Sequence, residues 1–404
     1  MFYQADWILP SDAPSLRGGW IRVEADRITG IGTAAELPSN ADAQKFPGCA
    51  LLPGLINAHC HLELTSLKDR LPSGKSFPVW VEELRGFTAG LDASDYHASA
   101  LKGVDLLLSG GATTVVDVGN TGDALPVLAA SPLRAFGFME TLGLDPSVAG
   151  FRFTHAKAQA GHTRDTSCFH SGIAPHAAYS CSPELLSAVI RHQQTSGLPV
   201  TIHASESREE ADLFASASGP LQEYCRRIFA GASEHRNTTP IRWLESEGLF
   251  PDHALIVHGN HLDDADMEIL LRHKSTMVHC PSSHAFFGHK KFPYRELKAR
   301  GIPVCLGTDS LASGDSLSML DQIRLFRKGF PEVAAQEALH LATVVAAEAI
   351  GMGNELGKLK AGYKADFIVV RTKTSPKEDP CEAVLRQDAE VVFAAVDGRD
   401  AGLK

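Results

Sequence analysis

A chain of 404 residues that is 44% hydrophobic and 21% charged is long enough for a large α/β core with an accessory domain. Its net charge of −10 argues against a broad nucleic-acid or anionic-membrane surface, and no uninterrupted apolar run approaches membrane-spanning length. The eight cysteines (49, 60, 168, 181, 225, 280, 305 and 381) include no Cys-X-X-Cys, and the first residues lack a basic segment followed by an apolar one. The expectation is a cytoplasmic protein with buried free thiols, without a disulfide framework or zinc ribbon.

In chain order, 19–24 and 27–32 alternate like short antiparallel strands. Eight apolar, often β-branched runs follow, at 55–61, 112–118, 133–140, 171–176, 198–203, 254–258, 276–280 and 302–309. Amphipathic stretches lie between them, at 77–88, 96–109, 183–196, 263–273 and 316–327. Repeated β-α units predict a parallel sheet, and eight of them predict a distorted (β/α)8 barrel with its chemistry at the C-terminal strand ends. An open doubly wound sheet lacks support, because no Gly-X-Gly-X-X-Gly follows an early strand. Near the C-terminus, 365–370 and 390–398 again read as strands. Neither end can bury a core alone, so residues 1–52 and 357–404 are expected to build one small β-sandwich beside a barrel of residues 53–356.

The strand 55–61 ends Asn57-Ala58-His59-Cys60-His61. Residues two apart on a strand share a face, so His59 and His61 aim at one point while Cys60 turns away. Neutral imidazole suits zinc and other divalent transition metals. His203 ends the strand 198–203, with Glu206 three residues on in the loop; His258 ends 254–258 and Asp309 ends 302–309. A single strand-end histidine is more often an ordinary core or rim residue. Four histidines, an Asp and a Glu at the strand ends of one barrel point to a metal site.

These residues make the sequence recognisable. It resembles the amidohydrolase superfamily through Pro53-Gly54-Leu55-Ile56-Asn57-Ala58-His59-Cys60-His61, through the strand-end residues, and through Gly357-Lys358-Leu359-Lys360-Ala361-Gly362-Tyr363-Lys364-Ala365-Asp366. Within it, His203-Ala204-Ser205-Glu206, Val257-His258-Gly259, His279-Cys280-Pro281-Ser282-Ser283 and Gly307-Thr308-Asp309-Ser310 resemble the cytosine, guanine and adenosine-type deaminases and the triazine hydrolases. The resemblance implies His59, His61, His203 and Asp309 as metal ligands and Glu206 as proton shuttle. It also implies His258 as the residue that holds and polarises the attacking water, and His176 as a substrate contact. Binuclear members carry a lysine or carboxylate at the end of the fourth strand; here that strand ends in His176, so one metal is expected, zinc by default, with iron fitting the same donors.

The resemblance implies a small heterocyclic substrate and water as reactants, with ammonia released; among relatives homodimers are common, and no segment here demonstrates one. Glu63 in His61-Leu62-Glu63-Leu64-Thr65 and Trp80 in Phe77-Pro78-Val79-Trp80-Val81 resemble the group that deaminates aminofutalosine. Glu63 would bond a purine edge or ribose hydroxyl, or else cap its own loop; Glu82 and Glu83 are expected on an exposed helix face. Where many relatives have Ser-Asn, a basic residue and leucine, this chain has Ser283-His284-Ala285-Phe286-Phe287-Gly288-His289, which makes His284 a candidate substrate contact. An adenine nucleoside such as aminofutalosine is the leading substrate. Guanine, triazine or cytosine-type chemistry is the alternative, and a catalytically silent binding homologue is the alternative of another class.

Overall fold

Strand follows strand almost without pause at the start of the chain, in a computed structural model that describes residues 1–229, 237–372 and 378–403. The first five strands are β1 (Phe2–Ile8), β2 (Leu16–Arg17), β3 (Trp20–Glu24), β4 (Arg27–Gly32) and β5 (Ala43–Pro53). Eight more alternate with helices: β6 (Leu55–Cys60), β7 (Ala112–Gly119), β8 (Arg134–Thr141), β9 (Phe169–Pro175), β10 (Thr201–Ala204), β11 (Leu255–His258), β12 (Thr276–His279) and β13 (Val304–Leu306). The chain ends with β14 (Phe367–Arg371), β15 (Glu390–Val396) and β16 (Arg399–Asp400).

All eight runs expected between residues 55 and 309 are strands, and they pair in parallel as β6-β7-β8-β9 and β10-β11-β12-β13. Lone parallel bridges, Ala177 to His203 and Cys60 to Asp309, join the two sheets at both seams. Every residue of β7, β8, β10 and β11 is buried, as expected where helices cover one side and a packed interior fills the other. That interior contains Ile56, Val116, Phe138, Ala174, Val257, Val278 and Cys305, drawn from both sheets into one cluster.

Both ends of the chain meet in one eight-stranded sheet, ordered β16-β15-β14-β5-β1-β3-β4 with β2 beside β1. β5 pairs antiparallel with β14, so the joining of the two termini is seen directly. The hydrogen bonding defines a single sheet, however, where two facing layers were expected. Four of its strands, β1, β2, β5 and β16, were not foreseen. β5 carries Pro47-Gly48, which reads as a turn; Gly48 sits at φ 70° and donates its N–H to Asp6 Oδ2 at 3.0 Å, absorbing an irregularity in the β1–β5 pairing. The terminal sheet is tied to the parallel strands by Arg134 of β8, 1% exposed, which donates to Asp366 at 2.8 and 3.1 Å and to Asp397 at 3.2 Å. Among the described residues, no helix is long and apolar enough to cross a membrane.

Candidate active site

The C-terminal ends of the parallel strands open into a cavity of ≈ 230 Å³. At its floor, β6 delivers His59 and the following residue delivers His61. Their rings stand 4.7 Å apart and nearly perpendicular. β10 delivers His203, whose Nε2 lies 3.2 Å from His59 Nε2. The ring nitrogens of these three histidines all lie within 4.8 Å of one another. Asp309, just past β13, sets its Oδ1 3.6 Å from His61 Nε2 and 4.0 Å from His59 Nε2.

Two carbonyls decide where the lone pairs point. His61 Nδ1–H donates to the Val118 carbonyl at 2.6 Å, and His203 Nδ1–H donates to the His176 carbonyl at 2.8 Å. A carbonyl accepts only, so Nε2 is the bare, lone-pair nitrogen of each ring in its neutral form; for His61, burial is outweighed by the charges of Asp309, Glu140 and Asp117, which raise it above the ordinary histidine value. His61 Nε2 faces the Asp309 carboxylate at 3.6 Å, a contact that is favourable only with a proton or a metal cation between the two. Burial, with the neighbouring imidazoles, pushes His59 well below the usual histidine range, and burial pushes His203 down to about 4. The donor set therefore fits a divalent metal, with the backbone carbonyls fixing ring orientation behind it.

Beside this cluster, His258 Nε2 lies 3.6 Å from Glu206 Oε1. Burial and then the charge of Asp309 raise Glu206 well above its ordinary value, in the direction that favours the protonated acid. Burial lowers His258, keeping it neutral. Asp309 behaves oppositely: burial pushes it up, but His258, His61, Ser283 and His203 outweigh that and leave it below its ordinary value. Ser205, His258 and Asp309 all have φ between 56° and 73°, a left-handed conformation that non-glycine residues adopt at a cost and that clusters at functional sites. Gly307 lets β13 approach β6: a Cβ there would stand 2.8 Å from the His59 carbonyl oxygen.

The other expected residues divide. His176 lines the cavity, its Nδ1 bonded to Ser180 Oγ at 2.6 Å. Trp80 forms part of the wall and donates its indole N–H to the Ala312 carbonyl at 3.2 Å. Glu63 also lines the cavity, but its carboxylate accepts from Asn120 N at 2.5 Å, Thr121 N at 3.2 Å and Thr121 Oγ1 at 2.9 Å. Those bonds tie Glu63 to the loop after β7 and not to its own loop. His284 stands behind the cavity wall: its Nδ1 bonds Asn260 Oδ1 at 2.9 Å, and Asn260 Nδ2 donates to the Glu206 carbonyl at 3.0 Å. From its loop it is Phe287 that reaches the cavity. Glu82 and Glu83 bond Arg227 and Lys75 and do not line it.

Glu140 was overlooked. It follows the rule that found Asp309, a carboxylate ending a parallel strand, and it lies 3.7 Å from His203 Nδ1, 4% exposed. Burial chiefly raises it to about 7. With His176 and His203 it forms a second group of converging donors.

The chain matches the amidohydrolase family over residues 50–399, and it belongs to that family of hydrolases. It is 29% identical over 426 residues to a 5-methylthioadenosine/S-adenosylhomocysteine deaminase of Symbiobacterium thermophilum, covering 97% of this chain and 91% of that protein. A protein of the same name from Carboxydothermus hydrogenoformans is 29% identical over 369 residues, covering 87% and 80%. Among solved structures, the aminofutalosine deaminase of Helicobacter pylori superposes with a TM-score of 0.87 at 23% identity, covering 99% of both chains. The zinc-complexed atrazine chlorohydrolase of Arthrobacter aurescens superposes at 0.83 with 19% identity, covering 99% of this chain and 94% of that one. These likenesses show a shared α/β fold.

Proposed function

We propose that this protein is a metal-dependent hydrolytic deaminase that removes ammonia from an adenine nucleoside, with His59, His61, His203 and Asp309 holding one divalent metal. The observation that carries the reading is the cluster of His59, His61 and His203, with Asp309 Oδ1 3.6 Å from His61 Nε2, next to the buried Glu206–His258 pair. The deaminases among its relatives support the substrate class. Zinc suits the nitrogen and oxygen donors, and iron is the alternative.

When bound, the metal supplies Lewis acidity that brings the pKa of water from about 15.7 to about 7. Glu206, protonated, donates to a ring nitrogen of the base and makes the adjacent carbon electrophilic. His258 holds the attacking oxygen by hydrogen bonding, and Asp309, ionised, accepts the water proton. Glu206, left as the carboxylate, takes up the proton of the added hydroxyl, and the proton held by Asp309 passes to the amino group, which leaves as ammonia while the new carbonyl forms. His176 and Trp80 border the base, while Glu63 secures the loop beside it. His284 acts through Asn260 on the Glu206 peptide, without touching substrate.

In the same reading, β6–β13 close into one barrel of residues 53–356. Residues 1–52 and 357–404 form the flanking domain, a curled sheet of sandwich type. The eight free cysteines, seven of them buried, support a cytoplasmic enzyme. It acts on a small molecule and water, without nucleic acid or membrane, as a monomer or a homodimer.

The test is ammonia release from zinc-loaded protein with 5-methylthioadenosine, S-adenosylhomocysteine, adenosine, guanine and cytosine as substrates. Turnover of an adenine nucleoside supports the reading. Turnover confined to guanine, cytosine or a halogenated triazine would move it to the alternative chemistry, and silence of the fully metallated protein would reject it.

A further inference from the structure

β6 leads into two proposed metal ligands, His59 and His61, yet its pairing with β7 slips just there. The register shifts between Leu55 and Ile56 and again between Asn57 and Cys60, whose partner is Asp117. His61 already lies past the last strand residue, with φ −130° and ψ 87°. Where a ladder is interrupted, its backbone bonds no longer fix the residues it carries.

Side chains from both strand ends take over. Asp117 of β7 is 1% exposed, and its Oδ1 accepts from the Leu62 N–H at 2.7 Å and from Cys60 Sγ at 3.4 Å. Cys60 and Leu62 are the two chain neighbours of His61, so one carboxylate oxygen grips the peptide on both sides of that ligand. The next residue of β7, Val118, accepts from the His61 ring itself at 2.6 Å. Glu63, two residues past His61 and 2% exposed, reaches the opposite way. Its Oε1 accepts from Asn120 N, and its Oε2 accepts from Thr121 N and Oγ1, in the loop that follows β7. Each strand end thus sends one buried carboxylate to the backbone of the other. Neither is among the converging metal-type donors of the site.

We infer that Asp117 and Glu63 are positioning residues for the metal site: laced across the ends of β6 and β7, they hold the His61 imidazole in its ligating orientation without touching the metal. The inference rests on the reading of His61 as a metal ligand. A ligand held in place before the metal arrives loses less freedom when it binds. Groups that orient a ligand in this way typically carry about 10- to 100-fold in metal affinity.

The test uses the full chain, with zinc affinity measured by competition with a chromogenic chelator and coordination read from the visible absorption of the cobalt-substituted protein. Asp117→Ala removes the accepting oxygen, and Asp117→Asn keeps one. Glu63→Gln changes almost no volume, but its amide NH2 must face an N–H donor on one side or the other. Asp117→Ala and Glu63→Gln are expected to weaken zinc binding by about 10- to 100-fold and to shift the cobalt bands. Asp117→Asn is expected to restore most of the affinity, and Glu63→Gln at saturating zinc to lower kcat with KM unchanged. A merely structural role would lower the denaturation midpoint and leave the spectrum of the folded cobalt protein as it was. Native zinc affinity with an unshifted spectrum in folded Asp117→Ala or Glu63→Gln would overturn the role of that residue. An effect of Glu63→Gln confined to KM would make Glu63 a substrate contact instead. Should Asp117→Ala fail to fold, the near-isosteric Glu63→Gln decides the matter. A native protein that binds neither zinc nor cobalt would reject the metal site, and this inference with it.

Discussion

Glu206 Oε1 and His258 Nε2 stand 3.6 Å apart, both side chains buried, at the ends of the paired strands β10 and β11. Burial acts on them in opposite senses, raising the carboxyl toward its protonated form and lowering the imidazole toward its neutral form. That is the arrangement a proton shuttle needs. Glu206→Gln keeps the shape but loses the transferable proton. It is expected to lower kcat by about 10²–10⁴-fold, with metal content by elemental analysis unchanged. Full activity of this variant would remove Glu206 from the mechanism.

His203→Ala removes one of the three clustered imidazoles of the proposed metal site. The expected outcome is loss of most bound metal after dialysis, together with loss of activity, while the circular dichroism spectrum keeps its native shape. Retention of native metal stoichiometry would show that the ligand set is wrong.

Gly307→Ala tests the site through its scaffold. The added methyl would meet the His59 backbone at 2.8 Å, forcing β13 and β6 apart beneath the proposed metal ligands. Metal affinity and activity should both fall, by about 10-fold or more, as is usual when ligand-orienting groups shift. Unchanged metal affinity would mean that the floor of the cavity tolerates the displacement.

The Glu206 peptide is held on both sides: Glu210 accepts its N–H at 2.7 Å and Asn260 donates to its carbonyl at 3.0 Å. Asn260→Ala should reduce kcat by about 10-fold with little change in KM, since it misplaces the acid without touching substrate. A change confined to KM would instead make Asn260 a substrate contact.

Arg134→Met leaves Asp366 buried without its partner, which is expected to destabilise the fold by about 3–5 kcal/mol, read from chemical denaturation. The same network sets an acid limit. Burial pushes Asp397 up, but the bonds from Lys364 and Arg134 outweigh it and hold its folded-state carboxyl below the ordinary value. Its stabilisation is therefore complete above the unfolded carboxylate range near about 3.9 and is lost as pH falls through the lower folded value. Stability that fell with rising pH across this range would contradict the assignment.

Much of the site was legible because strand geometry is periodic. His59 and His61 alternate onto one face, and His203, His258 and Asp309 each close a run of apolar residues that could only be a buried strand. Glu140 obeyed the same rule and was missed because no second metal-type residue adjoins it in sequence. His284 could not be placed from sequence, since its position behind the wall depends on Asn260, 24 residues away. The terminal sheet was half legible. Trp20–Glu24 and Arg27–Gly32 alternate cleanly, but Pro47-Gly48 interrupts β5 and Ala5-Asp6 weakens the apolar rhythm of β1. Their pairing depends on contacts between distant segments that no local pattern encodes.

The most direct measurement is ammonia release from an adenine nucleoside by one protein sample before metal removal, after chelation, and after zinc is restored, with bound metal quantified at each stage. The account predicts turnover that disappears with the metal and returns with about one equivalent per chain. Turnover that persists in the metal-free protein, or a fully metallated protein that releases no ammonia from any adenine nucleoside, would contradict it.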